Sequence, residues 1–156
     1  MWLGESSHSL DDKGRLSVPR RLLAGQQFDG AGRAAFILTL GFEGCLFLFT
    51  EDAFRACVAK LETQAFAGEE KRTMQRLYFS KAQRVELDEK NRLSVPDKLA
   101  QLVGIEREVT LVGLVDRAEI WSKAKWDAFE QQNAREFARL ERVLFGGGPA
   151  SGAQQT

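Results

Sequence analysis

The chain contains the stretch LDDKGRLSVP at residues 10–19 and a second version of it, LDEKNRLSVP, at residues 87–96. Eight of the ten positions are identical. One of the two differences exchanges aspartate for glutamate, and the other exchanges Gly14 for Asn91, so both are chemically conservative. Such a repetition indicates that the chain arose from an internal duplication.

Each copy of this stretch predicts a tight turn followed by a short strand. Gly14 and Asn91 are residue types that tolerate a positive φ at low cost, so one left-handed backbone position can recur in both copies. The alternation after the first turn puts Leu16 and Val18 on one face and polar residues on the other, as in a half-buried strand. The closing proline lacks the N–H that a strand ladder needs and suits the first position of a helix. Each copy is therefore predicted to form a turn, a strand and a short helix.

The duplication extends beyond these ten residues. LFLFTEDAF at residues 46–54 corresponds to AEIWSKAKW at residues 118–126, and both segments predict a strand that leads into a helix. Thr50 and Ser122 are good N-caps for the two helices. The first copy has five more residues between its proline and this segment, and we expect them in the loop around residues 29–33 because loops absorb insertions cheaply.

Hydrophobic periodicity predicts the remaining elements. Strands are expected at residues 1–9, 35–40, 45–49, 108–114 and 118–121. Helices are expected after each proline, the first ending near Gly25, and at residues 51–66, 69–79 and 123–145. The helix over 51–66 is predicted to bury Phe54, Val58, Leu61 and Phe66. The helix over 123–145 carries an apolar stripe that exceeds what its own domain needs and favours contact with a neighbouring subunit: Trp126, Phe129, Phe137, Leu140 and Leu144.

Composition bounds the class of protein. The 156 residues are 44% hydrophobic and 28% charged, which fits one soluble domain or two small intertwined ones. The chain has no apolar run of about 18 residues and no signal-peptide pattern at its start, so we expect a cytoplasmic protein. Cys45 and Cys57 lack metal-ligand spacing and are expected to be buried reduced thiols without a metal.

Charge is balanced overall but uneven between the copies. The formal net charge is zero, which argues against a generic binder of polyanions. Residues 11–21 contain four basic and two acidic residues, a local charge of +2, whereas residues 88–98 contain three of each. The basic residues of the first copy are Lys13, Arg15, Arg20 and Arg21.

Signatures of catalysis are missing from the sequence. It has no P-loop, no dinucleotide-binding glycine pattern, no zinc spacing and no nucleophile elbow, and it contains a single histidine. The neighbouring carboxylates Asp11 and Asp12 are better explained by turn formation through side-chain to backbone hydrogen bonds than by hydrolysis. The sequence therefore predicts no enzymatic activity and no cofactor.

The turns offer a different kind of chemistry. Asp11 and Arg15 stand four residues apart across a tight turn, as do Asp88 and Arg92, so each carboxylate can hold its guanidinium in one orientation. A fixed arginine suits the O6 and N7 acceptors of guanine in the major groove, which admits a two-stranded ribbon. An equally good explanation from the residues alone is that each pair only stabilises its turn, where an exposed ion pair contributes about 0 to 1 kcal/mol.

Lysines occupy the tips of the same two turns. Lys13 and Lys90 are placed to contact phosphates, which position a protein on DNA without reading its sequence.

Two turns of this type, each followed by RLSVP and separated by a segment that ends in RLYFSKA at residues 76–82, resemble the MraZ family of bacterial transcriptional regulators. The resemblance covers about residues 1–145. It implies an α+β fold in which two pseudo-symmetric copies interleave their hairpins into one barrel, as in the swapped-hairpin barrels of the AbrB and MazE type. The implied domains are a first repeat at 1–66, a connecting helix at 67–82, a second repeat at 83–145 and a disordered tail at 146–156.

The resemblance also implies a function. It is sequence-specific binding to double-stranded promoter DNA of the division and cell-wall gene cluster, by a nucleoid-associated homo-oligomeric ring. The residues that it places at the DNA are Asp11, Lys13, Arg15, Arg20, Asp88, Lys90 and Arg92. An antitoxin-like or structural protein-interaction module of the same barrel class is the alternative, although the short glycine-rich tail disfavours it. Asn91 in place of the glycine and Asp97 at the position of Arg20 are departures from the pattern, and they put equal use of the two copies in question.

Overall fold

The computed structural model describes residues 2–23, 34–62 and 68–146, without the side chains of residues 61 and 62. The elements of the first copy are β1 (Trp2–Ser9), β2 (Arg15–Ser17), α1 (Arg20–Leu23), β3 (Ala35–Leu40), β4 (Leu46–Thr50) and α2 (Glu51–Glu62). They are followed by α3 (Glu69–Phe79), β5 (Gln83–Glu86), β6 (Arg92–Ser94), α4 (Asp97–Leu102), β7 (Glu108–Val115), β8 (Ala118–Ser122), α5 (Lys123–Asn133) and α6 (Phe137–Phe145).

The chain divides into two compact units after Lys123. The first unit contains all the strands named above together with α1 to α4. The second unit holds α6 and all of α5 beyond its first residue. Among the described helices, none combines the length and the apolar character that a membrane span requires.

The strands of the two copies interleave in one sheet and in one ribbon. Six strands form an antiparallel sheet in the order β1, β7, β8, β4, β3, β5, and β2 pairs with β6 in a separate two-stranded ribbon. The first strand of each copy therefore lies beside the third strand of the other copy. The α+β fold built from two interleaved repeats is confirmed. The pairings among the described residues leave the larger sheet open, with β1 and β5 at its edges, so a closed barrel stays a prediction.

Local twofold symmetry relates the copies. In the ribbon, Leu16 lies opposite its own counterpart Leu93, and the pairs on either side of them exchange equivalent residues. In the large sheet, Phe47 of β4 lies opposite its counterpart Glu119 of β8. This register agrees with the sequence correspondence of residues 46–54 with residues 118–126.

Both copies contribute to one hydrophobic core. Leu16 and Leu93 are fully buried at the centre of the ribbon, and the core continues through the inward side chains of the large sheet. The alternating pattern of the RLSV segments explains this placement, because every second side chain of a strand points to the same face. Other fully buried members are Phe36, Leu38, Leu46, Leu48, Val109 and Ile120.

The structure confirms the predicted strands and most of the helices. The N–H of Ala53 donates to Thr50 Oγ1 at 3.1 Å, so Thr50 caps α2 as predicted. Pro96 is the N-cap of α4 and not its first residue, a shift of one position. Cys45 is buried as predicted, whereas the predicted burial of Cys57 was wrong because this residue is half-buried; both are free thiols. The expectations for Gly25, for residues 29–33, for Phe66 and for residues 147–156 lie outside the described residues.

Two helix predictions were wrong. The expected continuous helix over 123–145 is interrupted by a turn at residues 134–136. There Asn133 Nδ2 donates to the carbonyl of Phe129 at 2.8 Å, a side-chain bond to the backbone of the kind that competes with helix continuation. In α2, Phe54 and Val58 are half-buried, so its apolar face is covered less completely than its sequence suggested, and the side chain of Leu61 is not described.

Candidate nucleic-acid interface

The two turns have the same backbone structure. In the first, the N–H of Gly14 donates to the carbonyl of Asp11 at 2.9 Å, and in the second the N–H of Asn91 donates to the carbonyl of Asp88 at 2.9 Å. Gly14 has a φ of 71° and Asn91 has a φ of 57°. The left-handed position predicted for both copies is therefore confirmed. It explains why the first copy has a glycine and the second an asparagine at this position.

Each aspartate organises its turn through three hydrogen bonds. Asp11 Oδ1 accepts from the backbone N–H groups of Lys13 and Arg15, both at 2.9 Å, and Oδ2 accepts from Arg15 Nε at 2.6 Å. In the second copy, Asp88 makes the same three bonds to Lys90 and Arg92, at 2.9, 2.9 and 2.7 Å. The predicted Asp–Arg pairs therefore form in both copies. In each pair the aspartate holds the Nε atom of the guanidinium group.

The two pairs lie close enough to interact. Arg92 Nη1 is 3.8 Å from Asp11 Oδ2, so the first aspartate contacts the arginines of both copies. The arginine side chains are about a quarter exposed, at 26% for Arg15 and 24% for Arg92, which lets them keep contact with solvent while their Nε atoms are held. We call Asp11, Arg15, Asp88 and Arg92 the twin-turn cluster.

Backbone bonds between the copies hold the cluster together. The N–H of Val18 donates to the carbonyl of Asn91 at 2.9 Å, and the N–H of Val95 donates to the carbonyl of Gly14 at 3.0 Å. Each turn is thus joined to the end of the strand that follows the other turn. Both turns are therefore joined to one two-stranded ribbon, whose pairing sets the spacing of their arginines.

The other predicted residues surround the cluster in different ways. Lys13 and Lys90 are exposed at the turn tips, as predicted. Arg20 is exposed at the first residue of α1 and shares no hydrogen bond or ion pair with the cluster within the described part of the chain. Its predicted role at the site is untested.

Two serines share the arginine face of the ribbon and were not among the predicted site residues. Ser17 lies opposite Arg92 and Ser94 lies opposite Arg15, and both serines are exposed. The alternation of the RLS segments could have identified them, because a serine two residues after the arginine must share its face.

The hydrogen bonds make both aspartates stronger acids. The backbone N–H of Arg15 is the largest influence on the pKa of Asp11 and lowers it, with further lowering by the Arg15 side chain and the N–H of Lys13. Desolvation is the largest influence on the pKa of Asp88 and raises it, but the combined bonds from Arg92 and Lys90 outweigh this, so its pKa is also lowered.

These pKa shifts predict a loss of stability in acid. Because the folded-state pKa values lie below the ordinary value of 3.8, the unfolded chain binds more protons in this range, and stability falls as the pH falls below about 4. The double variant Asp11→Asn/Asp88→Asn should lose less stability than the wild type between pH 7 and pH 3, as measured by thermal unfolding. Equal losses in the two proteins would contradict the role of the carboxylates in the turns.

Comparison with known proteins decides the family. A family model described as "MraZ protein, putative antitoxin-like" matches residues 1–77 and matches again over residues 78–145. The chain belongs to the MraZ family. The double match agrees with the duplication, because each matched segment contains one turn of the twin-turn cluster.

Relatives that carry the family's name align with most of the chain. A relative named transcriptional regulator MraZ from Clostridium beijerinckii is 38% identical over 133 residues, which cover 85% of this chain and 89% of the relative. A relative of the same name from Heliobacterium modesticaldum is 33% identical, covering 92% of this chain and 96% of the relative. A third, from Acetivibrio thermocellus, is 34% identical, covering 92% and 99%.

Proposed function

We propose that this protein is a transcriptional regulator that binds DNA in a sequence-specific manner through the twin-turn cluster. The observation that carries the proposal is the display of two identically held arginines on one two-stranded ribbon, related by local twofold symmetry. The names of the relatives, all transcriptional regulators, support the same function.

The geometry of the ribbon suits the major groove of B-DNA. Two-stranded ribbons enter that groove, where guanine offers two acceptors to an arginine. Because Arg15 and Arg92 are held through Nε, their Nη atoms are the groups that can meet a base edge. The exposed Ser17 and Ser94 lie on the same face and can add hydrogen bonds to bases or phosphates.

Phosphate contacts account for binding by a protein without net charge. Lys13 and Lys90 are exposed at the tips of the two turns. Arg20 is a further exposed cation of the first copy, and the matching position of the second copy is Asp97. We therefore propose that the first copy makes the stronger contact with DNA.

Salt dependence provides the first test of this proposal. Each neutralised phosphate adds about 0.9 to the slope of log K against log salt, so binding to the DNA upstream of the chain's own gene should weaken steeply with salt despite zero net charge. Lys13→Ala should reduce the slope by about 1 per engaged site and weaken binding to scrambled DNA equally. Fluorescence anisotropy at several salt concentrations measures both, and a slope near zero would contradict the role of the lysines.

We also propose that the protein associates with copies of itself into a ring. The ring binds repeated boxes in the promoter of the division and cell-wall gene cluster. The protein acts in the cytoplasm, at the nucleoid. In α6, a stripe of exposed apolar side chains supports association, with Phe137 at 72% and Leu144 at 70% exposure. Linked modules gain affinity through effective concentration, by about 10² to 10⁴. Multi-angle light scattering should therefore give a mass several times that of one chain, and a monomer at micromolar concentration would contradict the ring.

An antitoxin-like protein-binding role is the second candidate, because the matching family model carries that word in its description. Under this alternative the Asp–Arg pairs only stabilise the turns. A gel shift with upstream and scrambled DNA separates the two functions, since only the first predicts a preference for the upstream fragment.

A further inference from the structure

A cavity of about 290 Å³ opens in the first unit, away from the twin-turn residues. It is lined by four aromatic side chains: Phe42, Phe47, Phe49 and Tyr78. The ring centroids are 5.3 Å apart for Phe42 and Phe47, 5.9 Å for Phe47 and Phe49, and 6.3 Å for Phe42 and Tyr78. Its volume is near the lower end of the range of small-molecule sites, about 300 Å³. Walls of this kind favour a flat aromatic occupant, which gains from edge and face contacts with the rings.

Tyr78 supplies an unused polar group to the cavity. The residue is only 7% exposed, and its hydroxyl makes no hydrogen bond to any residue that the structure describes. Desolvation raises the pKa of Tyr78, so the hydroxyl stays protonated and can donate. The hydroxyl is therefore available to donate to a ligand that offers a hydrogen-bond acceptor.

Arg117, a cation in the cavity wall, is already paired with two carboxylates. Arg117 Nη1 is 3.1 Å from Asp116, Nη2 is 3.3 Å from Glu119, and the guanidinium carbon lies 4.6 Å from the centre of the Phe47 ring. Glu119 is itself buried and accepts from Trp121 Nε1 at 2.8 Å. The Nη atoms of Arg117 are thus paired with two carboxylates, so its charge does not require an anionic ligand, while its Nε is buried without a hydrogen-bond partner among the described residues and can donate to an acceptor.

We propose that this cavity is a binding site for a small, planar, uncharged aromatic compound that accepts a hydrogen bond from Tyr78. Its occupant contacts β4 through Phe47 and Phe49, and it contacts α3, the helix that leads directly to the second copy. The site does not depend on DNA binding, and its test uses the full chain without DNA.

The probe is 2-naphthol, with 2-naphthoate as its charged counterpart, measured by isothermal titration calorimetry and saturation-transfer NMR. We expect 2-naphthol to bind with a Kd below about 1 mM and 2-naphthoate to bind about tenfold more weakly. Tyr78→Phe removes only the hydroxyl and should weaken 2-naphthol binding about three- to tenfold. Leu77→Ala, on the same helix but exposed and outside the cavity lining, is the matched control and should leave binding unchanged.

A cavity-filling variant locates the bound probe. Met74 lines the cavity, so Met74→Trp should abolish binding, with folding checked by circular dichroism. If that variant does not fold, Phe42→Ala replaces it, because Phe42 is 53% exposed and its loss should weaken binding without unfolding the chain. The proposal is overturned if 2-naphthol does not bind at about 1 mM, if the lining variants bind it as the wild type does, or if 2-naphthoate binds more tightly, which would point to the exposed Lys71 of the lining.

Discussion

Arg15→Ala is expected to weaken binding to upstream DNA by about 1 to 3 kcal/mol per engaged site, while its melting temperature changes little. The free-energy loss arises because the Nη atoms of Arg15 no longer reach a base edge. The turn itself should persist, since Asp11 still accepts from two backbone N–H groups. In an oligomer that engages several boxes these free-energy losses add, so the operator complex should become undetectable at concentrations that saturate the wild type.

Controls separate this effect from a general loss of charge. Arg84 in β5 also donates its Nε to a carboxylate, at 2.7 Å, but it lies outside both the ribbon and α6, so Arg84→Ala should leave DNA binding unchanged. Arg92→Ala should cost less affinity than Arg15→Ala, because the surroundings of the second copy are less positive. If both ribbon variants bind DNA as the wild type does but have melting temperatures several degrees lower, the Asp–Arg pairs stabilise the turns and do not read DNA.

Leu16→Ala is expected to have the largest effect on stability, about 2 to 5 kcal/mol. Leu16 is completely buried opposite Leu93 on the local twofold axis, so the truncation leaves a cavity where the two copies meet. That loss is a large part of the 5 to 15 kcal/mol that holds a typical domain together.

Chemical denaturation at fixed protein concentration measures the stability of this variant. Leu93→Ala should behave similarly because it removes the equivalent side chain of the second copy. Leu77→Ala is the control, since Leu77 is 57% exposed and should change stability by less than about 0.5 kcal/mol. An unchanged midpoint for Leu16→Ala would contradict the assignment of this leucine pair as the centre of the shared core.

Much of the fold and of the turns was predictable because the chain repeats itself. Residues 10–19 and 87–96 are so similar that they predicted the same turn twice. The exchange of Gly14 for Asn91 indicated which residue of the turn has a left-handed backbone. Strand alternation then gave the buried side of the ribbon. These features depend on local backbone conformation, so a short stretch of sequence is enough to predict them.

Long-range features were not predictable in the same way. No local pattern indicates that Asp11 lies 3.8 Å from Arg92, because that distance depends on how β2 pairs with β6. The turn after Asn133 was missed because the apolar spacing continues across it. The aromatic cavity was also missed, since its lining comes from β4, α2, α3 and two hairpin turns that are far apart in the sequence.

The most direct test of base reading by the twin-turn cluster is selection of binding sites from randomised DNA, carried out in parallel with the wild type, Arg15→Ala and Lys13→Ala. Lys13→Ala should select the same sequence with lower yield, because a phosphate contact carries no sequence information. Arg15→Ala should lose the preference at one base position of each box while the rest of the box is retained. Full retention of the wild-type preference by Arg15→Ala would contradict the account.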